Sequence, residues 1–195
     1  IVEDNPYGEL RFSGADVPSI KSFDEDGIVC YCGTFSKVLS PGLRVGYLYA
    51  PRPVVQKVVV CKQASDVHTS IFSQMICASF LQQVDFAAHL KELQKIYRKK
   101  SALMLSEMRR NVNDRITYVE PQGGLFLWCR LPDGVDMMDF CKRAVGNKVA
   151  VVPGSAFMPY ESDHTQCFRM NYSTPTDEQI VKGVEILGEL THDIL

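Results

Sequence analysis

The chain has 195 residues, 46% of them hydrophobic, and its 21 Lys and Arg against 23 Asp and Glu leave a net charge of −2. That balance is globular in composition and removes any general electrostatic case for binding nucleic acid or an anionic membrane. The length suits one large domain or two small ones, and the expectation is a cytoplasmic protein with neither a membrane span nor a signal peptide.

In chain order, residues 1–2, 28–32 and 45–49 are short apolar segments expected as strands in the interior of a mostly parallel sheet. Pro53 opens a helix through Val54, Val55, Val58 and Val59, whose β-branched side chains weaken the propensity argument. Residues 65–70 read as a loop or cap before a helix over 71–81. A longer helix follows, with Phe86, Leu90, Leu93, Tyr97, Met104 and Met108 at helical spacing. Its Arg98-Lys99-Lys100 and Arg109-Arg110 share the helix with Glu92 and Glu107, so this basic stretch reads as a solvated face.

Beyond the Asn111-Val112-Asn113-Asp114 turn, a compact α+β module begins. Strands are expected over 116–119 and 125–131, separated by Pro121-Gln122-Gly123-Gly124, with Trp128 in the core. Asp136 caps a helix through Phe140 and Ala144. Residues 149–152 lead into Pro153-Gly154-Ser155-Ala156-Phe157. Thr176 with Gln179 forms a capping box for a terminal helix striped by Ile180, Val184, Leu187 and Leu190. The seven cysteines (30, 32, 61, 77, 129, 141, 167) lack C-x-x-C spacing and read as buried free thiols of a reducing cytoplasm. The four histidines (68, 89, 164, 192) are scattered, and no metal site is expected.

The chemistry concentrates between Gly33 and Gly46. A strand ends at Gly33, and Thr34-Phe35-Ser36-Lys37 follows with Arg44 seven positions after the lysine. Strand ends are where α/β proteins place ligands. A lysine amine whose pKa is lowered by desolvation or a neighbouring cation forms a Schiff base with a carbonyl. Arg44 is such a cation and a natural phosphate ligand, with the Thr34 and Ser36 hydroxyls and turn amides available for further phosphate oxygens. Taken alone, a lysine near an arginine is more often an ordinary solvated loop.

The segment from Gly33 to Tyr47, G-T-F-S-K-x-L-x-P-G-L-R-x-G-Y, resembles the cofactor-lysine signature of the fold-type I aminotransferases of class I/II, which use pyridoxal 5'-phosphate (PLP). The resemblance implies Lys37 as the catalytic and cofactor-anchoring lysine, and Thr34, Ser36 and Arg44 as phosphate ligands. Asp4-Asn5-Pro6-Tyr7 is similar to the family's D-x-P-Y element, which implies Asp4 beside the pyridine nitrogen and Tyr7 at the ring hydroxyl. A carboxylate there keeps the ring protonated and able to accept electrons. Phe168-Arg169-Met170-Asn171-Tyr172-Ser173 resembles the strand whose arginine, here Arg169, holds the substrate carboxylate. Alone, Asp4 reads as a turn aspartate and Arg169 as a strand-edge ion-pair residue.

The segments P-x-G-G-x-F-x-W and V-x-P-G-x-x-F look most like the aminoadipate, aromatic and branched-chain branch of the family. The implied fold is α/β: the C-terminal portion of the PLP-binding large domain over 1–85, a linking helix over 86–110 and a small α+β domain over 111–195. The resemblance covers only the C-terminal half of such an enzyme and implies a fragment. The other half would bring a phosphate turn, an aromatic ring stacked on the cofactor and an asparagine at the ring hydroxyl. The expected activity of the intact protein is amino transfer between an amino acid and a 2-oxo acid, in a homodimer, with the fragment inactive alone. His68, in a D-x-H-T-S loop that the family places near a subunit contact, stays outside the catalytic set. The alternative is the aminotransferase-like effector domain of a MocR/GntR-type transcription regulator, which shares the lysine segment. A PLP decarboxylase or lyase on the same fold is a third reading.

Overall fold

In the computed structural model, which describes residues 1–160 and 163–194, the carboxylate of Asp24 accepts hydrogen bonds from the amides of Ile28 (2.9 Å) and Val29 (3.0 Å) and from the Lys21 ammonium (2.7 Å). Those amides are lost to the sheet ladder. The strand expected from residue 28 therefore starts later, as β2 (Cys30–Thr34). The chain divides into two compact units, Ile1–Gln94 and Lys95–Leu195.

In the first unit, β1 (Val2–Asp4) pairs parallel with β2, and β2 pairs antiparallel with β3 (Gly46–Tyr49), in the order β1-β2-β3. A mostly parallel sheet is expected from the sequence, and the sense of β3 differs. Residues 35–45 are too short for the crossover that a parallel neighbour requires, so the chain turns straight back. The β1–β2 connection is long and is tied down by Glu3, whose carboxylate accepts from the amides of Ile20 and Lys21 at 2.9 and 2.8 Å. Helix α1 (Arg52–Ser65) has Pro53 in its first turn, where a missing N–H costs nothing. It buries none of its residues, and α2 (Ile71–Gln83), capped by Ser70, buries only Cys77.

Helix α3 (Phe86–Asn111) contains the division between the units, and its second half buries Met104, Leu105 and Met108 in the second unit. There β4 (Thr117–Val119), β5 (Phe126–Arg130), β6 (Val152–Pro153) and β7 (Cys167–Asn171) form an antiparallel sheet in the order β4-β5-β7-β6. Alternation along β5 and β7 buries Leu127, Cys129, Phe168 and Met170 on one face. That face joins the apolar sides of α4 (Met137–Gly146) and α5 (Asp177–Ile194), including Phe140, Ala144, Val184 and Leu187. Asp136 accepts from the Asp139 amide as expected of a cap. Both bonds of the capping box are made: Thr176 N–H to Gln179 Oε1 at 2.8 Å and Gln179 N–H to Thr176 Oγ1 at 3.2 Å. Tyr172, fully buried, donates its hydroxyl proton within reach of the Gly123 (3.1 Å) and Gly124 (2.8 Å) carbonyls, pinning a turn in which Gly124 has φ +77. Burial pushes its phenol pKa well above the usual range.

Two expectations change. Trp128 is half-exposed on the opposite face from the core, because the alternation that turns Leu127 and Cys129 inward turns its neighbours outward. Of the thiols, Cys77, Cys129 and Cys141 are buried, Cys30, Cys32 and Cys167 half-buried, and Cys61 lies exposed on α1. Desolvation holds the Cys129 thiol at about 12 and Cys141 at about 11, which keeps both protonated and unreactive. The basic stretch of α3 is engaged within the second unit: Lys99 pairs with Asp177 at 2.8 Å and Lys100 at 3.7 Å. No helix among the described residues is long and apolar enough to cross a membrane.

Candidate active site

The turn after β2 is built by its own side chains. Thr34 Oγ1 accepts from the Ser36 amide at 3.1 Å and lies 3.0 Å from Ser36 Oγ. Arg44 donates from Nη1 to Ser36 Oγ at 3.4 Å and to the Pro41 carbonyl at 3.2 Å. Its backbone is left-handed, φ 55 and ψ 37, at the end of the short 3₁₀ turn Pro41–Leu43, and this brings the guanidinium back over the turn. Two hydroxyls and one permanent cation thus meet at one point, a donor set suited to a phosphate. Gly33 is needed beneath them, since a Cβ there would lie 2.2 Å from Cζ of Tyr47. The Tyr47 ring sits against Tyr31 (6.2 Å) and Phe35 (5.9 Å), and desolvation, with Tyr31 and Glu9 nearby, raises its phenol pKa.

Lys37 is half-buried, and its Nζ lies 5.9 Å from the centroid of the Tyr7 ring. Among the described residues the amine has no hydrogen-bond or ion-pair partner, so it is not tied up as a structural charge. Asp4, at the C-terminal end of β1, is in register with Cys32, and its exposed carboxylate has no protein partner among the described residues. Asn5 braces this end of the sheet: its Nδ2 donates to the Tyr31 hydroxyl at 3.1 Å and its Oδ1 accepts from the Gly8 amide at 2.8 Å. The turn is also held by a residue to which the sequence assigns no role. A ring nitrogen of His89 bonds the carbonyl of Val38, next to Lys37, at 2.7 Å, and the imidazole packs edge-on against Phe80 at 5.0 Å. Nothing local in the sequence announces a bond that spans 51 residues.

Of the sequence-derived candidates, Asp4, Tyr7, Thr34, Ser36, Lys37 and Arg44 lie in the first unit, and Arg169 lies in the second. Arg169 is on the central strand β7, opposite Trp128 of β5 and Val152 of β6. Its guanidinium carbon is 3.9 Å from the Phe126 centroid and 4.6 Å from that of Phe157. Its Nε is buried without a hydrogen-bond partner, the one such side-chain atom among the described residues. The residues of the first unit fit PLP in chemistry: a free amine, a free carboxylate and a cation with hydroxyls for phosphate. No group of three or more His, Cys, Asp or Glu among the described residues could hold a metal ion.

The chain matches the family aminotransferase class I and II over residues 1–187. It is 38% identical to the aromatic-amino-acid aminotransferase 1 of Thermococcus litoralis, over 97% of this chain and 45% of that protein. It superposes with a TM-score of 0.92 on the crystal structure of LysN, an α-aminoadipate aminotransferase from Thermus thermophilus complexed with N-(5'-phosphopyridoxyl)-L-leucine, at 36% identity over 99% of this chain and 50% of that one. An uncharacterized HTH-type transcriptional regulator of Escherichia coli, YjiR, is 32% identical over 98% of this chain and 40% of its own length. The chain thus spans about half the length of the curated relatives it matches. With its fold, its lysine turn and a match over residues 1–187, the chain belongs to the class I and II aminotransferases.

Proposed function

We propose that the protein carrying this chain is a PLP-dependent aminotransferase that moves an amino group between an amino acid and a 2-oxo acid. The observation that carries the reading is the turn after β2, where a lysine without a hydrogen-bond or ion-pair partner among the described residues lies in sequence between two hydroxyls and an arginine that already meet. When bound, PLP supplies an aldehyde for the amine and a ring that accepts electrons from the substrate carbon. Lys37 Nζ is the anchoring amine and the group that takes and returns the substrate α-proton. Arg44, Ser36 and Thr34 hold the phosphate, the guanidinium through charge-assisted bonds roughly twice as strong as neutral ones. With the cofactor bound, Asp4 would pair with the ring nitrogen and Tyr7 with the ring hydroxyl, and Arg169 would hold the substrate carboxylate. Residues 1–85 form the C-terminal part of the cofactor domain, 86–110 the linking helix and 111–195 the small domain. Borohydride reduction of the full-length, PLP-loaded protein should fix a pyridoxyl label on the peptide containing Lys37, and Lys37→Ala should abolish it. A label retained in that variant sinks the assignment.

A homodimer in a reducing cytoplasm completes the proposal. The free thiols and the exposed apolar side chains of α1 and α2 support it. The regulator reading is favoured by the likeness to HTH-type transcriptional regulators, YjiR among them. The coding sequence upstream of Ile1 discriminates: a basic helix-turn-helix favours the regulator, and a short arm before the cofactor domain favours the enzyme.

A further inference from the structure

Arg169 is covered in a way that carboxylate binding alone does not require. Phe126 and Trp128 lie on the same face of β5, and Arg169 is directly opposite Trp128, so Phe126 is its diagonal cross-strand neighbour. Phe157, from the turn after β6, closes over the same guanidinium, and Trp128 meets the Phe157 ring edge-on at 5.4 Å. The aromatic rings therefore cover the π surface of the guanidinium and shut in its Nε. The terminal nitrogens, which have no protein partner among the described residues, are not buried in this way.

We propose that Phe126 and Phe157, the latter braced by Trp128, are positioning residues that fix the plane of the Arg169 guanidinium so that a substrate carboxylate meets its terminal nitrogens edge-on. The inference rests on the reading of Arg169 as the carboxylate ligand. A free arginine loses side-chain entropy when it forms a fork with a carboxylate. One already stacked on two rings has lost it beforehand, and the rings also exclude the water that would screen the pair. The buried, unpaired Nε fits the same picture, since a functional role is among the explanations for a buried donor left unsatisfied.

The test is calorimetric binding of 3-phenylpropanoate and of its uncharged amide, 3-phenylpropanamide, to the full-length, PLP-loaded protein. Phe157→Leu and Phe126→Leu keep most of the volume and remove the π face. Each should weaken the carboxylate about threefold to tenfold and leave the amide unchanged. Phe157→Tyr should restore wild-type binding, and in turnover the leucine variants should raise KM for the amino acid more than they lower kcat. Carboxylate binding unchanged in both leucine variants, or carboxylate and amide weakened equally, overturns the proposal. Phe157 is 43% exposed, so its variants carry the test if the Phe126 variant does not fold. Arg169→Ala separates the two levels. If it keeps the preference for carboxylate over amide, the reading of Arg169 fails. If it loses that preference while the leucine variants keep it, only the positioning role fails.

Discussion

Arg44 adopts the left-handed backbone that few residues other than glycine take, and in it the side chain returns to Ser36. Arg44→Ala removes a charged donor to phosphate, and PLP affinity of the full-length protein, followed by equilibrium dialysis, should fall about tenfold to a hundredfold. Asp24 sets a pH dependence. Its bond to Lys21, then those from Ile28 and Val29, hold its carboxyl well below the usual carboxylate range. Its contribution to stability is therefore complete above the unfolded value near 3.9 and is lost as the pH falls through the folded one. Asp24→Asn should melt earlier than the wild type at pH 7, and the gap in Tm should close progressively below about pH 4. A gap that is constant from pH 7 to pH 2 contradicts this. The meeting of Thr34, Ser36 and Arg44 is legible in the sequence because all three lie in one short connection. The side of β5 on which Trp128 lies is not, since alternation gives a period of two without saying which phase faces the core. His89 is illegible for another reason, its partner being 51 residues away.

Among the elements, helices are the easiest to read. Residues Phe86 to Met108 keep one phase along α3, and the Thr176–Gln179 box marks the start of α5 because both of its bonds are local. Strands are harder. The start of β2 depends on a carboxylate competing for its amides, and the antiparallel sense of β3 depends on how the chain returns through residues 35–45. One contact between elements is tight enough to test. A Cβ on Gly188 of α5 would lie 2.4 Å from the Asn111 carbonyl oxygen at the end of α3, and the obstacle is backbone, which cannot swing aside. Gly188→Ala should destabilise the second unit by about 1–3 kcal/mol in urea unfolding, despite the better helix propensity of alanine. An alanine variant as stable as the wild type would mean that α5 slides freely against α3.

For the molecule as a whole, the uneven burial of the two units matters most. The second unit closes its own core, whereas the first leaves Ile71 (63%), Phe72 (71%) and Met75 (62%) of α2 exposed together with much of α1. Apolar surface of that extent is normally covered by other protein. In sedimentation, the 195-residue chain alone should associate into mixed species and turn over no amino acid at an ordinary enzymatic rate, whereas the full-length protein should run as a dimer. Ordinary turnover by the isolated chain would contradict the expectation that the fragment is inactive alone. The Asp24 knot also bears on the order of folding. Its three bonds close over sequence separations of only 3, 4 and 5 residues, whereas the first β1–β2 pair, Val2 with Cys30, lies 28 residues apart. Short loops close within about 100 ns, and longer ones carry a larger closure entropy. Loop closure therefore favours setting the beginning of β2, the strand that leads to Lys37, ahead of its pairing with β1.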